Sequence, residues 1–347
     1  MITLLGYIFA LIISLIIGVH IYRYVVLNKT FKPKSRIPFD GEIFKLGDIV
    51  VARRRRIESE GEGGAENVSK TIVCMPGFME TISYFFDVYK DENAELILVN
   101  NCAYHSPIDD AMGKTPSWFD ANNPYLPGTI EHDAFVFAQI VDQLATTDNV
   151  VLHGHSRGGA VILEASKLIS KEKRHVAAIL EAPVLPQGKA RGHQMPKLLR
   201  IVMKYYMPLA FHYYRHNALA YLQFGGYRYP ATDVKEKIIS DYFSNPKQYK
   251  VTVTNISNID QWAASTGFDI YNNFSDVTVL VPENDIVLDR ELMYSSAAAG
   301  KHVKVVEVQA ADHFISLERP EFIIDYIECL FDPTKKLVND GPEWVTQ

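Results

Sequence analysis

The chain opens on an uncharged apolar run, residues 2–22, dominated by Ile, Leu, Val, Phe and Gly. About 20 such residues cross the hydrocarbon core of a bilayer as a helix, so the run predicts a membrane-spanning helix over roughly residues 2–27. Beyond it the pattern changes. Short β-branched, apolar runs predict strands at 43–51, 54–59, 71–75, 95–100, 150–152, 176–181, 277–281 and 303–308. Between them, apolar positions recurring every three or four residues predict helices at 81–89, 129–145, 157–170, 289–299 and 320–331. Strands taking turns with helices imply an α/β fold, a mostly parallel eight-stranded sheet with helices on both faces. The first two strands lie so close together that they predict an antiparallel start. One long stretch, 187–270, lacks regular strand spacing and is rich in aromatic and basic residues. It reads as a helical cap inserted over the carboxyl edge of the sheet. The organisation expected is a membrane helix at 1–28, a linker containing Pro33 and Pro38 at 29–44, an α/β core at 45–186 and 271–333, the cap at 187–270, and a tail at 334–347.

Composition narrows the picture in three ways. A chain of 347 residues with 48% hydrophobic content has enough material for one large core. The formal charge of −6, with no basic stripe interleaved with RNA-type aromatic motifs, argues against a nucleic-acid partner. Cys74, Cys102 and Cys329 are widely spaced and form no C-x-x-C pair, so neither a disulfide framework nor a zinc knuckle is indicated. Basic residues follow the apolar run, at Arg23, Lys29, Lys32, Lys34 and Arg36, which puts that side of the membrane in the cytoplasm by the positive-inside rule. A cleaved signal peptide is the competing reading, yet Met1-Ile2-Thr3 offers no positive amino-terminal region. The run Arg53 to Arg56 reads either as the solvated face of an edge strand, which blocks edge pairing, or as a contact for anionic lipid. A patch of glycine and glutamate at 60–66 reads as a loop.

The candidate chemistry lies where the strand at 150–152 gives way to a helix, in Gly154-His155-Ser156-Arg157-Gly158. This G-x-S-x-G form puts a serine on a sharp strand-to-helix turn whose neighbours two residues away must be small, hence Gly154 and Gly158. A lone hydroxyl is a weak nucleophile and needs a base and an orienting acid. Two later strands end in suitable residues. One runs into Pro282-Glu283-Asn284-Asp285 and the other into Ala311-Asp312-His313-Phe314, which places Asp285 and His313 on the same edge of the sheet as Ser156. His313 is expected to take the serine proton and Asp285 to hold the imidazole tautomer. The backbone N–H groups of Arg157 and Phe78 are the expected oxyanion donors, the latter in the loop Pro76-Gly77-Phe78-Met79. Glu283, Asp276 and Asp289 compete with Asp285. His302 precedes its strand and belongs at the opposite edge. His153 and His155 read as packing or supporting residues, and Tyr104-His105-Ser106 as a surface loop or part of a pocket wall.

Elbow, strand-ending aspartate and D-H-F segment, in the order serine, acid, histidine, resemble the α/β-hydrolase superfamily over roughly residues 45–333. The resemblance implies a serine esterase or lipase working through an acyl-enzyme, with no metal or organic cofactor. Many members carry His-Gly in the oxyanion loop where this chain has Pro76-Gly77. Members that open epoxides or displace halides use an aspartate where Ser156 stands. The aromatic cap and the membrane helix point to an ester with an apolar acyl chain as substrate and to membrane lipid as a partner. Lys197, Arg200, Lys204, Arg215 and Arg228 are candidates to face lipid head groups, unless the cap is simply a packed helical lid. A thioesterase, acyltransferase or peptidase would use the same three residues, and a non-catalytic binding module is the reading from another class.

Overall fold

The computed structural model of the chain describes residues 2–29, 36–55, 70–108, 113–170, 174–189, 197–224 and 232–331. Its centre is one sheet of eight strands: β1 (Glu42–Leu46), β2 (Ile49–Arg54), β3 (Lys70–Met75), β4 (Glu95–Val99), β5 (Asn149–His155), β6 (His175–Glu181), β7 (Asp276–Pro282) and β8 (Val303–Val308). The spatial order is β1-β2-β4-β3-β5-β6-β7-β8. β1 pairs antiparallel with β2, and β2 with β4, while every later pairing is parallel. The interior parallel strands are largely apolar without alternation because both faces are covered, whereas the edge strand β8 alternates and exposes Lys304. Along β5, Val150 and Leu152 enter one core and Val151 the other.

The first core packs beneath α3 (Ile130–Leu144), α4 (Arg157–Ala165) and α9 (Arg290–Ala298), the second beneath α2 (Ser83–Tyr89) and α11 (Pro320–Phe331). Thr129 caps α3 by accepting from the His132 N–H, and Asp289 caps α9 by accepting from that of Leu292, each satisfying an orphan donor of the first turn. Between β6 and β7 come α5 (Lys197–His216), α6 (Ala218–Phe224), α7 (Asp233–Tyr242) and α8 (Tyr249–Ser265), and the one-turn α10 (Ile315–Glu318) precedes α11. Phe211, Ile238 and Tyr242 of this inserted group join the second core, and Trp262 of α8 joins the first, with its indole N–H donating to Glu164 at 2.8 Å.

α1 (Ile2–Asn28) is long and apolar enough to cross a membrane, a test that a signal sequence also passes, and its side chains from Leu4 to Ile17 are exposed. Further along, one face turns onto the protein: Val26 is fully buried, and Arg23 Nε donates to the Tyr205 carbonyl at 2.8 Å with its guanidinium 4.2 Å from the Tyr205 ring centre. His20 also bonds the Tyr205 hydroxyl, and Tyr22 meets His212 edge-on at 5.8 Å.

Three expectations change. The run 43–51 is a hairpin, not one strand, because Gly47 at φ +58 turns the chain between β1 and β2. β2 consequently starts at Ile49 and ends at Arg54, and residues 56–59 of the expected second strand lie outside the described residues. Arg53 is neither on an edge strand nor solvated: β2 is interior, and the buried guanidinium donates to Glu95 Oε1 at 2.7 and 2.9 Å and to the Leu144 carbonyl at 3.0 Å. Arg54 spends its donors on the carbonyls of Tyr89, Lys90 and Glu92. Finally, α4 stops at Ala165 rather than 170, where the Ser166 hydroxyl bonds the Leu163 carbonyl and competes with the helix ladder. Arg56, Lys32, Lys34, Arg228 and the 60–66 patch lie outside the described residues, as do residues 334–347.

Candidate active site

β5 ends at His155 and α4 begins at Arg157, leaving Ser156 alone at the bend with φ +51 and ψ −116. This left-handed backbone is strained for a side chain with a Cβ and persists only where the surroundings over-determine it. They do so here: the Ser156 N–H donates to the Glu181 carbonyl at 2.8 Å, and its own carbonyl accepts from Gly159 and Val184 at 3.1 and 3.0 Å. The flanking glycines are required by close approach. A Cβ on Gly158 would lie 2.0 Å from the Met75 carbonyl oxygen, and one on Gly154 2.7 Å from the Gly158 carbonyl, both backbone atoms that cannot yield.

Asp285 follows β7 and His313 follows β8, and the two meet directly: His313 Nδ1 lies 2.8 Å from Asp285 Oδ2. The other carboxylate oxygen accepts the backbone N–H groups of Val287 and Leu288 at 2.7 and 3.0 Å. Burial pushes the Asp285 carboxyl up, but the His313 ring and these hydrogen bonds outweigh it and hold the carboxyl below its ordinary range. An ionised Asp285 that accepts from Nδ1 leaves Nε2 as the lone-pair nitrogen. Among the described residues no hydrogen bond joins His313 to the Ser156 hydroxyl; resting-state enzymes often leave this bond long. The rivals are engaged elsewhere. Asp276 pairs with His175 at 2.9 Å at the start of β7, Glu283 accepts from the Ala310 N–H at 2.7 Å, and Asp289 caps α9. Phe78 N–H makes no hydrogen bond among the described residues, and Arg157 N–H is an orphan donor as the first residue of α4.

The sequence reads His155 as a packing or supporting residue but misses the partners of the polar scaffold it belongs to. His155 is fully buried and stacked on Tyr84, ring centres 4.4 Å apart. Its Nδ1 lies 2.8 Å from Glu80 Oε2 and its Nε2 2.8 Å from the His313 carbonyl, so the elbow is tied directly to the base loop. Burial pulls the His155 imidazolium down, but Glu80 and Glu181 beside it and its hydrogen bonds raise it to about 9, and both ring nitrogens then donate. Glu181, the last residue of β6, accepts from Tyr84 Oη and from the Ser316 N–H and hydroxyl, each at 2.6 Å. Lys235 of α7, also buried, reaches Asp312 at 2.6 Å and Glu318 at 2.7 Å beside His313. Tyr104 is not a surface residue: it is buried, and its hydroxyl donates to Asn255 of α8 at 2.6 Å. Cys102, His132 and Asp133 come within 4.8 Å of one another, but Asp133 is paired with Arg157 at 2.8 Å and burial pushes the Cys102 thiol up, a poor donor set for a metal.

A family model described as "Alpha/beta hydrolase family" matches residues 109–326, well over half of the chain. The chain belongs to the α/β-hydrolase family. Solved structures agree with the hydrolase fold. An esterase from Exiguobacterium antarcticum superposes with a TM-score of 0.57 at 13% identity, covering 83% of this chain and all of its own. A thermophilic esterase from Thermogutta terrifontis gives 0.54 at 16%, covering 85% and 100%, and the carboxylesterase CesB from Bacillus subtilis gives 0.50 at 11%, covering 91% and 96%. No curated protein matches the chain in sequence. At such identities the hydrolase structures speak to fold, and the site stands on its own geometry.

Proposed function

We propose that this chain is a membrane-anchored serine hydrolase of carboxylic esters. The observation that carries the reading is the strained Ser156 at the tip of β5 together with the 2.8 Å His313–Asp285 pair at the ends of β7 and β8. In this mechanism His313 Nε2 removes the Ser156 proton as Oγ attacks the ester carbonyl carbon, and the carbonyl oxygen takes up the electron pair. The N–H groups of Phe78 and Arg157 stabilise that oxyanion. Collapse breaks the bond to the alcohol, which leaves with the proton from His313. Water, deprotonated by the same histidine, then attacks the acyl-enzyme and releases the acid, restoring Ser156. Asp285 keeps the proton on Nδ1 and stabilises the transient imidazolium.

Several features favour an apolar acyl chain. α5 to α8 act as the cap in this reading. They bring Phe211, Tyr214, Tyr221 and Phe243 together as an aromatic wall, and the Tyr221 hydroxyl reaches Met79 Sδ at 3.2 Å, one residue beyond Phe78. α1 supplies the anchor, its basic flank keeping the hydrolase on the cytoplasmic side. The named esterases among the similar folds are consistent with the substrate class. The test is labelling of the detergent-solubilised protein with a fluorophosphonate, followed by intact mass. A single adduct on wild type that is lost in Ser156→Ala supports the reading, and p-nitrophenyl esters of increasing length then report the depth of the acyl site. A well-folded wild type that takes no adduct overturns it.

A further inference from the structure

Ser156 is flanked by two buried side chains that leave the elbow separately and act on the two successive peptides that meet at Gly77. On one side, His155 Nδ1 bonds Glu80 Oε2 at 2.8 Å, and that oxygen also accepts the Gly77 N–H at 2.6 Å. On the other, Arg157 donates to Asn101 Oδ1 at 2.6 Å, while Asn101 Nδ2 donates to the Gly77 carbonyl at 2.9 Å, to that of Glu80 at 3.2 Å and to that of Pro76 at 3.5 Å. The orientation of the Asn101 amide is dictated by its partners, since a guanidinium cannot accept and carbonyls cannot donate. Arg157 is itself fixed by Asp133 at 2.8 Å and the Gly128 carbonyl at 3.1 Å.

The Gly77 carbonyl and the Phe78 N–H belong to one planar trans peptide, so their oxygen and hydrogen point in opposite directions. Drawing the oxygen toward Asn101 therefore sets the direction of the Phe78 N–H. The loop passes close against the serine: a Cβ built on Gly77 would come within 3.0 Å of Ser156 Cβ. We propose that Asn101, held by Arg157, and Glu80, held by His155, are positioning residues that aim the Phe78 N–H at the oxyanion, Asn101 through the Gly77–Phe78 peptide itself and Glu80 by anchoring the peptide before it. This inference rests on the reading of Ser156 as nucleophile. The Pro76-Gly77 loop is, on this account, oriented by side chains from the elbow and from just beyond β4 together with its own Glu80, whose backbone N–H also donates to the Gly77 carbonyl at 3.4 Å.

The test compares Asn101→Leu, of similar size but without the amide donor, and Glu80→Gln with wild type and Ser156→Ala. Sites are counted by fluorophosphonate labelling run to completion, so that kcat is expressed per intact site. Asn101→Leu is expected to lose about 10- to 100-fold in kcat per site, less than or comparable to removal of an oxyanion donor itself. Affinity for an alkyl boronic acid, which forms a tetrahedral adduct on the serine, is expected to fall by the same factor while KM stays nearly constant. Glu80→Gln is expected to show the same signature at smaller amplitude, and it decides the matter alone if Asn101→Leu does not fold. A merely structural role would lower the number of titratable sites or the melting temperature and leave kcat per site unchanged. Values of kcat per site and boronic acid affinity within about twofold of wild type in both variants, with Ser156→Ala inactive, overturn the proposal. Full activity in Ser156→Ala overturns the serine reading and the proposal with it.

Discussion

Asp285 carries its charge in a pocket where solvent contributes little, held by one imidazole and two backbone amides. Asp285→Asn keeps the shape but presents an amide that no longer enforces a proton on Nδ1, so kcat is expected to fall by about 10⁴ with melting temperature little changed, as measured by steady-state kinetics and calorimetry. His155 gives a stability signature of opposite origin. Its imidazolium sits near 9 in the folded protein against an ordinary 6.5, so the stability it confers is complete below about 6.5 and is lost as pH rises through 9. The loss is on the order of 3 kcal/mol. Denaturation at pH 6 and pH 9.5 is expected to show it in wild type and not in His155→Gln. The strand-end positions of Ser156, Asp285 and His313 were legible in the sequence because strand ends are visible in a hydropathy pattern. Glu80, Asn101 and Glu181 were not, since their roles depend on partners at 155, 157 and 316 that no local spacing relates to them.

At the scale of elements, the β5–α4 junction tolerates no bulk. Gly158→Ala pushes a methyl group into the Met75 carbonyl, and a loss of at least about 3 kcal/mol is expected in urea titrations, since backbone must move to accept it. The Arg53–Glu95 pair fastens β2 to β4 inside the sheet. Glu95→Gln leaves the buried guanidinium with only the exposed Glu42 carboxylate, 3.6 Å away, as counter-charge and is expected to cost about 3 kcal/mol in the same assay. These strands show why hydropathy blurs boundaries. Ile43, Phe44, Leu46, Ile49, Val50 and Val51 form an almost unbroken apolar run, and only the Gly47-Asp48 pair marks the reversal. Likewise Leu168 and Ile169 continue the spacing of α4 past Ala165, where the chain goes on in turns with both N–H groups donating to the Ala165 carbonyl, Ile169 still buried and Leu168 exposed. Regular α3 and α11, with a Thr cap in one and a leading proline in the other, kept close to their expected bounds.

For the whole molecule, α1 as an anchor leads to a clear expectation: the chain stays in the membrane pellet after carbonate extraction and its intact mass retains residues 2–28. A mature protein that begins beyond residue 28 identifies α1 as a cleaved leader instead. The inserted helices were recognisable from sequence as an interruption of the strand rhythm, but their internal arrangement was not, since it rests on contacts among aromatics far apart in the chain. The way α1 meets α5 has a kinetic consequence. His20 and Arg23 both touch Tyr205, and Tyr22 touches His212, so the end of α1 packs against α5. If α1 is the proposed anchor, these contacts hold α5 and the helices inserted with it beside the point where the anchor leaves the lipid. On the proposed reading as an anchored ester hydrolase, an apolar ester would arrive by lateral diffusion in two dimensions, and the rate would follow its mole fraction in the bilayer rather than its concentration in the buffer. Adding inert phospholipid to proteoliposomes at fixed total substrate is therefore expected to slow turnover by surface dilution, even though nothing in the aqueous phase has changed.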